Sequence, residues 1–249
     1  MTYCVGMVTD RGLVLMSDTR TNSGVDNISV FRKMFHWSVP GERIVALMTA
    51  GNLATTQAVI SQLEERTKAP EERTYSLLEV PTMFQAAVET GKILRDVVLD
   101  TQAENGEQGR GRFTASLILA GQIKGMEPRL FLIYPEGNFI EASWDTPFFQ
   151  VGETKYGRPI LIRGYDRNLS FEDAVKLLMV SFDSTLKANL SVGLPLDLLV
   201  IRRDEFKTLH ERRIEHGDAY FEAISKSWSD ALRSAFHSLP DYSFYQEAQ

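Results

Sequence analysis

Strand hairpins alternating with pairs of helices along 249 residues predict an α+β fold, a four-layer αββα sandwich with two antiparallel sheets face to face and helices outside. Three observations carry this. The order reads strands, two helices, strands, two helices, strands, helix. No segment repeats internally, and no long linker divides the chain, so one domain is expected over residues 1–249, with a C-terminal helix and tail from about 217 to 249. The same order also suits two small α+β domains, but nothing marks a boundary.

Composition narrows the function classes. With 43% hydrophobic residues the chain can bury one large core. A net charge of −6 and a pI near 5.4 argue against nucleic acid or an anionic membrane as partner. The single Cys4 excludes an intramolecular disulfide and a Cys-rich zinc site, and His36, His210, His216 and His237 lack metal-ligand spacing, so neither metal nor cofactor is expected. The chain opens on an alternating run rather than a basic and apolar secretory signal, and no eighteen apolar residues follow one another, so a soluble cytoplasmic protein is the default expectation.

The elements follow in order. Residues 2–9 and 12–18 are β-rich runs around Asp10-Arg11-Gly12, a tight-turn signal. A two- or three-residue loop pairs positions whose numbers sum to about 21 or 20, which sets Thr2 opposite position 19 or 18 and brings Asp18 back beside the start of the chain. After a polar stretch, Thr19 to Ser29, residues 30–37 alternate as a strand with Phe31, Lys33, Phe35 and Trp37 on one face. A lysine there either packs its stem and snorkels its amine to water, or is desolvated against a carboxylate.

Residues 43–51 form a strand ending at Gly51, and Asn52 can cap a helix from Leu53 to Ala69. A strand that ends at glycine and opens a helix presents backbone N–H groups suited to an oxyanion. A second helical region runs from Ser76 to Gln102 with Pro81 near its start. Residues 104–112, glycine-rich and charged, do not fit a dinucleotide fingerprint and read as a surface loop. Strands are expected at Phe113–Ala120, Arg129–Tyr134, Asn138–Glu141 and Phe148–Glu153, and a helical stretch from there to about Arg163. A longer helix spans Ser170 to about Leu190, with Ser170 as N-cap and Glu172 and Asp173 in its first turn. Leu196–Arg202 reads as a buried strand, Phe206–Ile214 as its hairpin partner, and Asp218–Phe236 as an amphipathic helix.

The chemistry gathers at the first residues. If Met1 is removed, Thr2 carries a hydroxyl and a free amine together, a nucleophile with its own base. An α-amine titrates near ~7.7–8.0 and can act as a general base around neutral pH. The remaining needs are a cation, a carboxylate to hold it, and an N–H donor for the oxyanion. Lys33, Asp18 and Gly51 supply one of each. Thr2 alone is also simply a permissive second residue, Asp18 a strand-end turn former, and Cys4 a small buried residue.

Thr2, Asp18, Lys33 and Gly51, in their order and approximate spacing, resemble the proteasome-type N-terminal nucleophile (Ntn) hydrolases, with Lys33 one residue closer to Thr2 than in the typical β-subunit. The opening through Ser-Asp-Thr-Arg and Val-Phe-Arg-Lys-Met-Phe looks most like the bacterial Anbu, or ancestral β-subunit, branch. The resemblance covers roughly residues 2–215 and implies the four-layer fold, threonine-dependent amide hydrolysis of peptides, and self-assembly into homo-oligomeric rings or open-ring spirals. It implies Thr2 as nucleophile and base, Asp18 orienting Lys33, Lys33 lowering the nucleophile's pKa, and Gly51 N–H in the oxyanion hole. Arg20 matches a position beside this group, suited to contact Asp18 or substrate, and Asn189 and Ser191 correspond loosely to the family's usual Asp and Ser near the long helix's end. Gly152-Glu153 departs from the family pattern, which has a serine after that glycine.

Other readings share these residues. An Ntn amidase acting on a small acyl compound needs the same machinery without a chamber. A catalytically silent ring subunit or scaffold is a third, though silent α-type subunits carry extra residues before the first strand, which is not the expectation here. An ATP-driven unfoldase partner is left open by the sequence.

Overall fold

The computed structural model describes residues 2–22, 28–68, 76–105 and 113–244. Met1, Ala69 at the expected end of the first helix, residues 106–112 of the expected loop and 245–249 of the tail lie outside them.

Strands β1 (Tyr3–Thr9) and β2 (Gly12–Asp18) form the expected hairpin around Asp10-Arg11. Its register pairs Cys4 with Ser17 and Thr9 with Gly12, which sets Asp18 level with Tyr3. Two short strands, β3 (Arg20–Asn22) and β4 (Ile28–Val30), pair within the stretch read as merely polar. Next come β5 (Met34–Val39), β6 (Arg43–Gly51), α1 (Leu53–Lys68) and α2 (Met83–Asn105). They are followed by β7 (Ala115–Ile123), β8 (Arg129–Ile133), β9 (Phe139–Glu141) and β10 (Phe148–Gly152). The chain closes through α3 (Arg158–Gly164), α4 (Phe171–Ala188), β11 (Leu196–Arg202), β12 (Thr208–Ile214) and α5 (Ala219–His237).

One antiparallel sheet has the order β10-β1-β2-β11-β12, the other β5-β6-β7-β8-β9. The central strands are buried on both faces, which is why they read as near-continuous apolar runs. Along β1 and β2, Tyr3, Val5, Met7, Val14 and Met16 pack with Leu178 and Phe182 of α4. Their neighbours Cys4, Leu13 and Leu15 turn to the other sheet and meet Met48 and Ile118 there. On the far side Val45, Leu47, Leu117 and Leu119 pack under α1 and α2. Three apolar layers between four structural layers make the predicted αββα sandwich.

Three boundaries differ from expectation. Residues 77–79 form a turn, in which Leu78 N–H donates to Ser76 Oγ at 3.1 Å, and α2 starts beyond Pro81. Proline disfavours helical backbone at the residue before it, and Thr82 then caps the helix by accepting from Gln85 N–H at 3.0 Å. The helix expected directly after Gly152-Glu153 begins only at Arg158, with Pro159 in its first turn. The strand expected from residue 30 is broken: β5 begins at Met34, so alternation does not extend back to Lys33. Phe35 and Trp37 pack on the α1–α2 side, whereas Lys33 reaches the opposite sheet.

Candidate active site

The first strand's beginning, the end of β6 and the start of α1 enclose a cleft of about 720 Å³. Thr2, Lys33, Thr49, Gly51, Leu53 and Gln57 are on its wall. Thr2 itself is 8% exposed, and its carbonyl accepts from Glu153 N–H at 2.6 Å. This contact depends on Gly152, whose φ of +83° lets the backbone pass so close that a Cβ there would lie 2.0 Å from Thr2 O.

Asp18, at the end of β2, is wholly buried and serves as the hub. Its Oδ1 accepts from Lys33 Nζ at 2.8 Å and from Tyr3 N–H at 2.9 Å, and its Oδ2 from Gly193 N–H at 3.4 Å. Lys33 Nζ also donates to Arg20 O at 2.6 Å. Burial pushes the Asp18 carboxyl above the ordinary carboxylate range, opposed by the Lys33 charge and by the Lys33, Tyr3 and Gly193 hydrogen bonds. Of the two readings of Lys33, the structure has the desolvated, carboxylate-paired one, 5% exposed.

Gly51 ends β6 with φ +124°. Thr49 N–H donates to Lys33 O at 2.9 Å on one edge of β6, and Asn52 N–H to Thr114 O at 3.0 Å on the other. Ladder alternation therefore turns the Gly51 N–H to the Thr49 edge, past the start of β5 and into the cleft wall. Cys4 is not available for chemistry. It is fully buried, its thiol donates to Thr49 O at 3.7 Å, and burial holds it far above an ordinary thiol's pKa.

The other sequence candidates lie around this core in different roles. Arg20 does not bond Asp18: its Nη1 donates to Leu190 O at 3.0 Å, and its guanidinium lies over Gly193, where a Cβ would be 2.2 Å from Cζ. Asn189, the C-cap of α4, donates from Nδ2 to Glu153 Oε2 at 3.0 Å and accepts Ser191 N–H on Oδ1 at 3.0 Å. Ser191 thus contributes its backbone to a turn. Sequence reasoning does not assign Glu153 a role or name the Tyr3 and Gly193 N–H donors. The Gly-Glu step at the end of a strand facing the chain start is the only signal, since backbone donors leave no mark on side-chain pattern. Among the described residues no group of three or more His, Cys, Asp or Glu is placed to hold a metal ion, and no helix is long and apolar enough to cross a membrane.

Two stacked antiparallel sheets, covered by helices and carrying a threonine at the chain start beside a buried lysine–aspartate pair, define a proteasome-type protein. The sequence matches the proteasome subunit family over residues 2–201, and the chain belongs to it. The Proteasome subunit beta of Methanocaldococcus fervens is 24% identical over 216 residues, covering 86% of this chain and 87% of that protein. Within the family the chain is similar to Anbu, the ancestral beta-subunit. Anbu from Yersinia bercovieri is 44% identical with a TM-score of 0.91, over 98% of this chain and 100% of that one. The Pseudomonas aeruginosa Anbu complex, described as a helical assembly, is 44% identical with a TM-score of 0.90, over 98% and 99% of the two chains.

Proposed function

We propose that the protein is a threonine-type amide hydrolase in which Thr2, exposed by removal of Met1, is the nucleophile. One observation carries the reading: a single buried oxygen, Asp18 Oδ1, receives both Lys33 Nζ and the N–H of the residue after Thr2. That hub fixes a cation and the chain's first residues in one place, and the cleft beside them leaves room for a substrate.

The steps follow from the residues. Thr2 Oγ attacks the amide carbon and its proton passes to the Thr2 α-amine. The carbonyl electron pair moves onto oxygen, where the Gly51 N–H stabilises it. The C–N bond then breaks, the amine leaving group takes the proton, and an ester on Thr2 remains. Water attacks that ester with the amine again as base, releasing the acid and restoring the hydroxyl. Lys33 favours the deprotonated nucleophile by its charge, and Asp18 holds Lys33 in place.

The same reading places the chain in a homo-oligomer, ring or open spiral, which the helical assembly of the Pseudomonas aeruginosa relative supports. It also places it in the cytoplasm, where a free, buried cysteine fits a reducing compartment. Small acyl amides, which need the same machinery without an assembled chamber, are the second substrate class to test beside peptides. The test is turnover by protein produced without an N-terminal tag, its loss of one methionine confirmed by intact mass. Cleavage of peptide or acyl-amide libraries by this protein, abolished in Thr2→Ala, supports the reading. Equal rates in Thr2→Ala would overturn it.

A further inference from the structure

Thr2 lies on a closed circuit of hydrogen bonds of which the chemistry above uses only the Asp18 end. Starting from Thr2 O, the circuit passes to Glu153 N–H at 2.6 Å, and from the Glu153 carboxylate to Asn189 Nδ2 at 3.0 Å. Asn189 caps an eighteen-residue helix whose Leu178 and Phe182 are fully buried, so its position is set by a rigid element. From Asn189 the turn closes through Ser191 N–H on Oδ1 at 3.0 Å and Val192 N–H on its carbonyl at 3.1 Å. Gly193 N–H then reaches Asp18 Oδ2 at 3.4 Å, and Asp18 Oδ1 returns to Tyr3 N–H at 2.9 Å, next to Thr2. Residue 153 is itself pinned, because Glu153 Oε1 accepts Lys155 N–H at 2.7 Å.

We infer that Glu153 and Asn189 are positioning residues: their carboxylate–amide pair straps Thr2 to the C-terminal end of α4 and so fixes where the nucleophile stands relative to Lys33 and Gly51. The inference rests on the reading of Thr2 as nucleophile. Glu153 is 6% exposed and Asn189 8%, so the pair is shielded from competing water. Loosening the Glu153 side displaces the nucleophile without touching Lys33 or Asp18.

The pair can be inverted chemically. In Asn189→Asp two carboxylates face each other, and in Glu153→Gln the amide still offers one oxygen. The double variant Glu153→Gln/Asn189→Asp restores an amide–carboxylate contact with donor and acceptor exchanged, and its new carboxylate can still accept Ser191 N–H. The experiment measures acylation of Thr2 by a β-lactone electrophile, resolved into binding and maximal rate, beside thermal unfolding and hydrogen exchange of peptides 2–7 and 171–180. Glu153→Ala and Asn189→Asp are expected to lower the maximal rate about ten- to a hundredfold at unchanged binding. They should also speed exchange in 2–7 but not in 171–180, and the double variant should recover to within about threefold of the parent. Parent-like rate and exchange in Glu153→Ala, or a double variant no better than Asn189→Asp, overturns the inference. If the parent takes no label, the nucleophile reading fails, and the exchange of 2–7 in the same variants still decides whether the strap holds Thr2.

Discussion

Lys33 and Asp18 meet at 2.8 Å with side chains 6% and 0% exposed, so each is the other's counter-charge inside the protein rather than at its surface. Replacing Lys33 by Met therefore does two things. It leaves an uncompensated buried carboxylate, costing about 3–5 kcal/mol at neutral pH. It also removes the charge that favours the deprotonated Thr2, so acylation of Thr2 should fall at least about a hundredfold. The Asp18 carboxyl is already raised by burial, so acid should relieve the stability penalty by protonating it. Denaturant unfolding of Lys33→Met at neutral and mildly acidic pH checks the sign: the gap to the parent narrows as pH falls.

Gly152 is the second sensitive position. At φ +83° with Thr2 O where a Cβ would stand, Gly152→Ala forces the strand end apart and takes the Glu153 N–H away from Thr2. We expect a loss of about 1–3 kcal/mol from backbone strain. Activity should suffer more than stability. Thermal melts beside single-turnover acylation separate the two.

Glu153 gives a pH dependence of stability. Burial alone would raise its carboxyl, but hydrogen bonds from Lys155 N–H, the Asn189 amide, and Thr154 and Tyr156 N–H outweigh it and hold the group below the ordinary range. A depressed folded-state pKa stabilises above the unfolded value of about 4.3 and loses that contribution as pH falls through the lower, folded value. Glu153→Gln should melt below the parent at neutral pH and converge with it in acid. Parallel melting curves from about pH 7 to pH 3 would contradict the assignment.

Tyr3 separates support from catalysis. Its hydroxyl is buried against Ser181 Oγ at 2.7 Å and receives Gln150 Nε2 at 2.8 Å, and burial, partly offset by those bonds, pushes it up to about 12. Tyr3→Phe leaves Gln150 Nε2 unpaired beside an Oε1 that already has no partner, at a cost of about 1–3 kcal/mol. The Tyr3 N–H to Asp18 is untouched, so acylation of Thr2 should change less than about threefold. Paired melts and labelling rates measure both.

What is legible in the sequence is local. The Asp10-Arg11 turn determines the β1–β2 register, and with it the return of Asp18 beside Tyr3; Ser170 caps α4 and accepts Asp173 N–H at 3.0 Å. Pro81 and Pro159 are visible too, yet the apolar pattern around them runs on and hides how far they delay α2 and α3. Alternation carried through residues 31–33 puts Lys33 on the wrong face, because those residues are not strand. The resemblance suits Arg20 to a contact with Asp18 or with substrate, whereas its guanidinium donates to the Leu190 carbonyl, 170 positions away. The Glu153–Asn189 pair spans 36 positions and the Gly193–Asp18 contact 175, and no periodicity encodes such meetings.

The most direct measurement is covalent mapping. Untagged protein whose first residue is Thr2 is treated with a β-lactone electrophile, and intact mass and peptide sequencing locate the adduct. The account predicts one acyl group per chain on Thr2 Oγ, absent from Thr2→Ala and from protein that retains Met1. Protein correctly exposed at Thr2 that takes no label, or takes it at another residue, would contradict it.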